Sequence, residues 1–273
     1  IAALLGILKA GGSYIPIDVS YPEDRILYIL NSTEAAAYLS TSATGFKCSS
    51  PVHTLNIDEI VASYGNDNAV NACRLENVAY TIFTSGSTGN PKGVVIGQKA
   101  MSNFVRSIHR IEPFGTDTHM LGVTTVSFDI FVLECYVTLC YGGRLILADD
   151  AATADVGILS KLITDEHVNT IQFTPSRIMM LLEIPEYAEC LKHIRTVFVG
   201  GEALTEDTLE RLKGSTDARL INVYGPTETT VWSTFRDVTN DEKIAIGRPL
   251  DNTDVYILDK DNRLMFRNGI GEL

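Results

Sequence analysis

Short apolar runs alternate with longer helical stretches along most of this chain. Strands are predicted at residues 14–17, 37–40, 78–84, 120–123, 145–147, 170–173, 196–199 and 220–223. Helices are predicted at residues 2–9, 22–30, 99–109, 131–141, 156–165, 176–182 and 206–212, the last capped by Thr205. Because the two kinds of element alternate with short Gly, Pro and Asp turns, the pattern indicates an α/β fold of layered parallel sheets with flanking helices.

The pattern changes near residue 231, after which no helix is predicted. Apolar runs at 255–258 and 264–266 flank a polar turn at 259–262, which is typical of a β-hairpin. We therefore expect a layered nucleotide- and substrate-binding region at residues 1–230 and the start of a β-rich, barrel-like subdomain at residues 231–273.

One loop combines the residue types that bind phosphate. Residues 80–95 read YTIFTSGSTGNPKGVV, so a buried strand leads into a loop of glycines, hydroxyls and one lysine before a second apolar run. Glycine-rich loops expose backbone N–H groups, and a lysine ammonium adds a point charge suited to phosphate. Pro91 before Lys92 excludes a Walker phosphate loop. An ordinary strand–turn–strand has a similar composition, but hydroxyls, glycines and lysine together favour phosphate binding.

Three of the predicted strands are followed directly by glycines and polar residues. They are the strand before the loop, the strand before Gly200, Gly201 and Glu202, and the strand before Tyr224 and Gly225. In open parallel sheets, ligands bind beyond the carboxyl ends of strands, so these ends are expected to converge on a nucleotide. Glycines follow strands in many α/β proteins, which makes this support modest.

Composition and charge narrow the function classes. The chain has 273 residues, 45% of them hydrophobic and 21% charged, as expected of a soluble globular protein. The formal net charge of −12 argues against nucleic acid as a partner. The most apolar region, residues 126–148, is interrupted by charged residues, so no membrane span is expected.

The five cysteines are odd in number and contain no C-x-x-C pair. This pattern favours free thiols in a cytoplasmic protein over a disulfide framework or a zinc site.

Five ordered motifs carry a family resemblance. They are LKAGGSYIPID at 8–18 with YPEDR at 21–25, the loop above, Phe128-Asp129, NVYGPTETT at 222–230 and GIGEL at 269–273. In this order they resemble the adenylate-forming enzymes, and within them the adenylation domains of non-ribosomal peptide synthetases. The resemblance implies an ATP-dependent ligase of secondary metabolism that converts an amino acid to an aminoacyl adenylate and releases pyrophosphate. The acyl group would then pass to the phosphopantetheine thiol of a peptidyl carrier domain, with a condensation domain as a further partner.

The resemblance also implies roles in nucleotide binding. Lys92 and the loop residues would hold the β- and γ-phosphates, Thr227 would contact the α-phosphate and Glu228 would ligate Mg²⁺. Glu228 could instead be a solvated turn carboxylate. Thr84, Lys92, Thr227 and Glu228 are the expected catalytic set. The full nucleotide-binding set is Thr84, Ser85, Gly86, Ser87, Thr88, Gly89, Lys92, Gly201, Glu202, Ala203, Asn222, Tyr224, Gly225 and Thr227, with Tyr224 stacking on adenine.

Asp129 is the expected anchor for the substrate ammonium group. It stands among apolar residues, where an unpaired carboxylate is costly, although it could also cap the following helix. By the resemblance, the rest of the pocket lining is Ile130, Leu133, Gln172, Phe198, Gly200, Val223, Val231 and Trp232. This lining predicts a small amino acid, with glycine as first choice, unless Trp232 packs in the core instead. Phe198 departs from the leucine that the resemblance would place there.

Two other functions stay open. An acyl- or aryl-acid-activating relative would share the phosphate loop but would give Asp129 no ammonium group to pair with. A nucleotide-binding module without turnover is the other alternative.

The chain is expected to be an excerpt of a longer polypeptide. The resemblance implies that a ribose-binding aspartate and a catalytic lysine lie downstream of residue 273. The isolated chain is therefore expected to be weak or inactive by itself.

Overall fold

The structure, a computed structural model, describes residues 1–44, 52–63, 72–85, 91–241 and 243–273. Within these residues the chain divides into two units. The first comprises Ile1–Ser102 and Thr124–Phe131, and the second comprises Asn103–Val123 and Val132–Leu273. The expected division between residues 230 and 231 stays a prediction.

Small sheets and short helices make up the described part of the first unit. Its helices are α1 (Ala2–Lys9), α2 (Glu23–Thr33), α3 (Ile57–Ser63) and the first turns of α4 (Gln98–Ile111). Strand β1 (Ala37–Ser40) pairs in parallel with β2 (His53–Asn56). Strand β3 (Val78–Thr84) pairs antiparallel with β4 (Lys92–Gly97).

A seven-stranded sheet forms the centre of the second unit, in the order β11-β10-β9-β8-β7-β5-β6. Its strands are β5 (His119–Gly122), β6 (Arg144–Leu147), β7 (Thr170–Phe173), β8 (Thr196–Val199), β9 (Arg219–Tyr224), β10 (Thr234–Asp237) and β11 (Arg248–Pro249). Strands β5 to β9 are parallel, and β10 and β11 add antiparallel pairs at one edge.

The helices of the second unit fall between its strands. They are a π-helix (Val132–Val137), α5 (Thr138–Cys140), α6 (Asp150–Ala154), α7 (Val156–Asp165), α8 (Pro175–Leu182), α9 (Pro185–Ala188), α10 (Glu206–Lys213) and the 3₁₀ helices Glu189–His193 and Thr227–Thr229. The α/β fold with a mainly parallel sheet and flanking helices is therefore confirmed.

The strand order places a topological switch beside β5. The chain runs from β5 to β6 on one side and then returns to β7 on the other. Open α/β sheets bind ligands at such a switch, beyond the carboxyl ends of the strands. The segment that leaves β5 is Thr124–Phe131, which contains Asp129.

Register gives the two faces of this sheet different characters. Ile171, Val197 and Leu220 are aligned on β7, β8 and β9 and belong to the apolar core with residues of α7, α8 and α10. The neighbouring row, Gln172, Phe198 and Ile221, points to the opposite face because side chains alternate along a strand. The candidate pocket residues therefore lie away from this core.

Two expected features of the strands were wrong. Residues 14–17 form only one bridge, between Tyr14 and Tyr80, because Pro16 has no N–H to extend the ladder. The strand before the glycine-rich loop, β3, belongs to an antiparallel pair with β4 and not to the parallel sheet. The expected convergence of its end with those of β8 and β9 on a nucleotide stays a prediction.

Two of the observed helices begin and end at the residues that the sequence predicted. Helices α1 and α7 have the predicted limits, and the Thr205 hydroxyl caps α10 by accepting a hydrogen bond from the Thr208 N–H at 3.2 Å. The predicted helix at 131–141 contains the π-helical stretch, which sequence periodicity did not indicate.

The predicted hairpin near the C-terminus is present in reduced form. Leu258 bridges Leu264, and the Met265 N–H donates to the Ile257 carbonyl at 2.9 Å. Across the described ranges, no helix has both the length and the apolar character that crossing a membrane requires.

Candidate active site

The ends of the glycine-rich loop are fixed by the β3–β4 pair. Thr84 and Lys92 are register partners, and the Thr84 hydroxyl donates to the Lys92 carbonyl at 3.5 Å. The Tyr28 hydroxyl donates to the Pro91 carbonyl at 3.2 Å. Ser85 and Lys92 are exposed at the mouth of the loop. The predicted residues Gly86, Ser87, Thr88 and Gly89 lie outside the described residues.

Asp129 is a buried carboxylate, 7% exposed, in the first unit. Tyr80 of β3 is fully buried within reach of its charge. Burial raises the pKa of the Tyr80 hydroxyl far above its usual value, and the negative charge of Asp129 raises it further. A cationic group such as the ammonium of an amino acid would be attracted to this buried carboxylate.

A hydrogen-bonded turn precedes Asp129. The hydroxyls of Thr125 and Ser127 bond to each other, and the Phe128 N–H donates to the Thr125 carbonyl at 3.0 Å. Both hydroxyls also bond to the carboxylate of Asp18. Burial raises the pKa of Asp18, but these bonds and those from Ser20 outweigh it, so the net shift is downward. Asp18 therefore stays ionised and links the motif at 8–18 to the segment carrying Asp129.

The helix after Asp129 is π-helical from Val132 to Val137, and every residue in that stretch is buried. π-Helical turns are rare and frequent at functional sites. Leu133 of the predicted lining is fully buried here, whereas Ile130 is partly exposed. The carboxylate of Glu134 accepts a hydrogen bond from the Val123 N–H at 3.1 Å and so ties the helix to the end of β5.

In the second unit, several predicted pocket residues share one face of the sheet. Gln172 and Phe198 are register partners, and Gly200 and Val223 lie two residues further along the same faces of their strands. A Cβ at Gly200 would lie 2.6 Å from the Val223 Cγ2 and 2.9 Å from the Trp232 Cη2. Gly200 is therefore enclosed by two other predicted lining residues. The Phe198 ring stacks on Phe114, with centroids 6.3 Å apart.

Two buried donors on this face have no acceptor in the described part of the chain. They are the Gln172 Nε2 and the Trp232 Nε1. Buried N–H groups are almost always paired in folded proteins, so these two mark a face that a polar ligand or water would complete.

The backbone before Trp232 is strained. Thr230 and Val231 have φ angles of 72° and 64°, in the left-handed region that β-branched residues avoid. Such strain persists where the surroundings enforce it and is concentrated at functional sites. Both residues are buried, as a pocket lining requires.

The predicted nucleotide residues cluster after β9. Tyr224 is 43% exposed, so its ring is accessible for stacking. A Cβ at Gly225 would lie 2.6 Å from the Ser233 nitrogen, so only glycine fits there. The Ser233 N–H donates to the Tyr224 carbonyl at 2.8 Å and closes the loop between them. Asn222 is buried and donates from Nδ2 to the Ala245 carbonyl at 2.9 Å.

Thr227 and Glu228 lie on the 3₁₀ helix within this loop, and the Glu228 side chain is exposed. Among the described residues, no group of three or more His, Cys, Asp or Glu side chains could hold a metal ion. A single exposed carboxylate still fits Mg²⁺ carried by a nucleotide, because Mg²⁺ usually binds one or two carboxylates together with phosphates and waters.

The turn after β8 contains Gly201, Glu202 and Ala203, all exposed. The Glu202 carboxylate accepts hydrogen bonds from the Ser176 hydroxyl and, at 3.1 Å, from the Ser176 N–H. It therefore holds the first turn of α8 against this turn, while Gly201 and Ala203 stay exposed.

The predicted residues thus form two groups. Thr84, Ser85, Lys92, Asp129 and Ile130 lie in the first unit, and Leu133 and the residues from Gln172 to Trp232 lie in the second. Sequence reasoning missed Tyr80, the Asp18 contacts and Ser176. The position of Asp18 at the end of an assigned motif was the available signal for one of them.

The whole chain, residues 1–273, matches the family model described as AMP-binding enzyme. It is 37% identical over 277 residues to tyrocidine synthase 3 of Brevibacillus parabrevis, covering 100% of this chain and 4% of that protein. The chain thus spans a small part of the length of this relative.

Solved structures of nonribosomal peptide synthetases are also similar to this chain. A four-domain nonribosomal peptide synthetase, holo-AB3403 bound to AMP and glycine, matches with a TM-score of 0.83 and 33% identity over 96% of this chain and 19% of that one. An AMPPNP-bound form of the synthetase FmoA3 matches with a TM-score of 0.88 and 26% identity over 96% of this chain and 29% of that one.

Proposed function

Since the chain belongs to the AMP-binding enzyme family, we propose that it is the amino-acid-activating part of a nonribosomal peptide synthetase. Its similarity over its full length to a segment of tyrocidine synthase 3 supports this assignment. So does its likeness to a synthetase solved with AMP and glycine.

The proposed reaction is formation of an aminoacyl adenylate. A carboxylate oxygen of the amino acid attacks the α-phosphorus of ATP, the bond to the bridging oxygen breaks, and pyrophosphate leaves. Reactions of this kind depend on positioning and charge neutralisation more than on covalent catalysis.

The residues assigned to the nucleotide are those after β3 and β9. Lys92 and the loop from Thr84 to Gly89 would hold the β- and γ-phosphates, and Thr227 the α-phosphate. Tyr224 would stack on adenine beside the turn of Gly201 to Ala203. Glu228 would hold Mg²⁺, which would neutralise charge on the phosphates.

The burial of Asp129 is the observation that carries the amino-acid assignment. A carboxylate that is 7% exposed is costly to bury, and the ammonium of a bound amino acid would lower that cost by pairing with it. An aryl or fatty acid has no ammonium group to offer this carboxylate. The buried row of Gln172 and Phe198, with Gly200 enclosed by Val223 and Trp232, supports a small substrate, with glycine as first choice.

In the full-length protein, the activated acyl group would pass to the phosphopantetheine thiol of a peptidyl carrier domain. A condensation domain would then use it for peptide-bond formation. The nonribosomal peptide synthetases among the similar proteins support these partners.

Amino-acid-dependent exchange of pyrophosphate into ATP tests the proposal in the full-length protein. We expect exchange with small amino acids, and its loss in Asp129→Ala with ATP binding retained. Losing the partner of a buried charge costs about 2–5 kcal/mol, or roughly 30-fold or more in kcat/KM. Asp150→Ala, which removes an exposed carboxylate on α6, is the matched control. Exchange stimulated only by aryl or fatty acids, or unchanged in Asp129→Ala, would contradict the assignment.

A further inference from the structure

A cavity of about 460 Å³ lies in the second unit, lined by residues that have no part in the proposed reaction. The C-terminal half of α4 contributes Ser107 and Arg110, and β9 contributes its first residue, Arg219. Phe235 of β10, Arg248 of β11 and Asp251 also line the cavity. Three guanidinium groups thus line one cavity.

Two of the three arginines are already paired. Arg110 Nη1 lies 2.5 Å from Asp251 Oδ2. Arg219 donates to Glu112 at 2.8 Å and to Asp237 at 2.7 Å. These pairs hold the two guanidinium groups in place and balance most of their charge.

Arg248 differs from the other two. In the described part of the chain, no carboxylate lies within ion-pair distance of it. Its guanidinium carbon lies over the Phe235 ring, 4.9 Å from the ring centre. Arg248 is exposed, and its guanidinium can donate two parallel hydrogen bonds, the arrangement that suits carboxylate and phosphate.

Ser107 supplies an independent sign of a ligand. It is 2% exposed, it lines the cavity, and its hydroxyl has no hydrogen-bond partner among the described residues. A buried hydroxyl without a partner costs free energy that a ligand oxygen would recover. The cavity lining therefore includes one guanidinium without a carboxylate and one serine whose buried hydroxyl has no partner among the described residues.

We propose that this cavity binds a small multiply charged oxyanion, with Arg248 and Ser107 as its principal contacts. Arg110 and Arg219, each paired with a carboxylate, form the wall beside it. The proposal is independent of the proposed activity, because none of these residues is assigned to ATP, Mg²⁺ or the amino acid.

Isothermal titration of the full-length protein with citrate and, separately, with inorganic phosphate tests this site. The two arms distinguish a carboxylate from a phosphate ligand. We expect at least one to bind with a stoichiometry of one. Binding should weaken about tenfold or more in Arg248→Ala and severalfold in Ser107→Ala, as for loss of charge-assisted hydrogen bonds. Arg248→Lys should bind with intermediate affinity, because it keeps the charge and loses the planar fork.

Two controls separate this site from others. Arg106→Ala removes an exposed charge from the same helix, one residue before Ser107, and should leave binding unchanged. Lys92→Ala weakens the proposed phosphate loop and should also leave it unchanged. Failure of both anions to bind overturns the proposal. So does binding that survives in Arg248→Ala and Arg248→Lys, or that is lost in Lys92→Ala.

Discussion

The Tyr80 hydroxyl lies in the interior of the first unit with no hydrogen-bond partner among the described residues. Burial and the charge of Asp129 both raise its pKa, so it stays a neutral phenol. Such a group contributes hydrophobic packing through its ring, while its hydroxyl costs free energy.

We therefore expect Tyr80→Phe to leave the free energy of unfolding unchanged or to raise it by up to about 1 kcal/mol. Urea unfolding of the variant and of Tyr256→Phe, an exposed tyrosine in the second unit, measures this. A loss of more than about 1 kcal/mol in Tyr80→Phe alone would show that the hydroxyl donates a hydrogen bond in the folded protein.

Gly200 is the residue at which the pocket leaves least space. Its missing Cβ would meet the Val223 Cγ2 at 2.6 Å, the Val223 carbonyl oxygen at 2.8 Å and the Trp232 ring at 2.9 Å. Backbone cannot move aside as a flexible side chain can. An added methyl group must therefore displace either β9 or Trp232.

Gly200→Ala should lower the free energy of unfolding by about 1–3 kcal/mol, the usual cost of overpacking, and should reduce amino-acid activation. Gly214→Ala is the matched control, because Gly214 caps α10 with ordinary helical angles and its Cβ would lie 3.5 Å from the nearest atom. That change should be neutral or stabilising. Equal losses in thermal or urea unfolding for both variants would argue against a specific clash at Gly200.

At the scale of elements, an ion-pair network joins β9 to its neighbours. Arg219 at the start of β9 bonds to Asp237 at the end of β10 and to the buried Glu112 after α4. Burial raises the pKa of Asp237, but hydrogen bonds from Thr239 and Arg219 outweigh it, so the net shift is downward from 3.8. The folded state therefore releases the proton of Asp237 more readily than the unfolded state.

This shift sets the sign of a pH effect. A lowered pKa stabilises the folded protein above the unfolded value of 3.8 and loses that effect as pH falls through the folded pKa. Asp237→Asn should thus lower the urea midpoint at about pH 7, and the difference from wild type should shrink below about pH 4. Asp150→Asn removes an exposed charge as a control. A difference that is constant across this range would exclude the ionised carboxylate as its cause.

Continuous apolar runs predicted the interior strands well. Strands β7 and β8 have the predicted limits, because every residue of each is buried and the run itself marks the element. Strand β10 was missed, since Arg236 and Asp237 break its apolar pattern while backbone pairing to β9 still holds it. Pairing between distant segments is not visible in local composition.

The candidate site was predictable as a set of residue types but not as an arrangement. Glycine, hydroxyl and lysine positions indicated phosphate binding, and the apolar setting of Asp129 indicated burial. The sequence did not show that β3 pairs with β4, or that Glu202 bonds to Ser176. Those contacts depend on register and on chain segments that are close only after folding.

For the molecule as a whole, the net charge of −12 must be reconciled with an anionic nucleotide. Long-range repulsion disfavours ATP binding, so local donors and Mg²⁺ have to offset it. In the proposed reaction, Lys92, the loop N–H groups and a metal at Glu228 serve this purpose. The affinity for ATP should therefore depend strongly on Mg²⁺ at low ionic strength.

The size of the substrate is the property that most directly tests how the lining residues act together. Trp232 is 3% exposed, and its ring would contact any side chain added at Gly200. We expect the full-length protein to use glycine best, alanine moderately and leucine poorly, because inserting extra carbons into a packed site costs about 1–3 kcal/mol.

Trp232→Leu should admit larger amino acids and reduce the preference for glycine over leucine by about tenfold in kcat/KM for pyrophosphate exchange. Phe266→Leu changes an aromatic side chain that is 77% exposed and should leave the preference unaltered. Faster exchange of the wild-type protein with a bulky or charged amino acid than with glycine, alanine or serine would show that Trp232 packs in the core and does not limit the pocket.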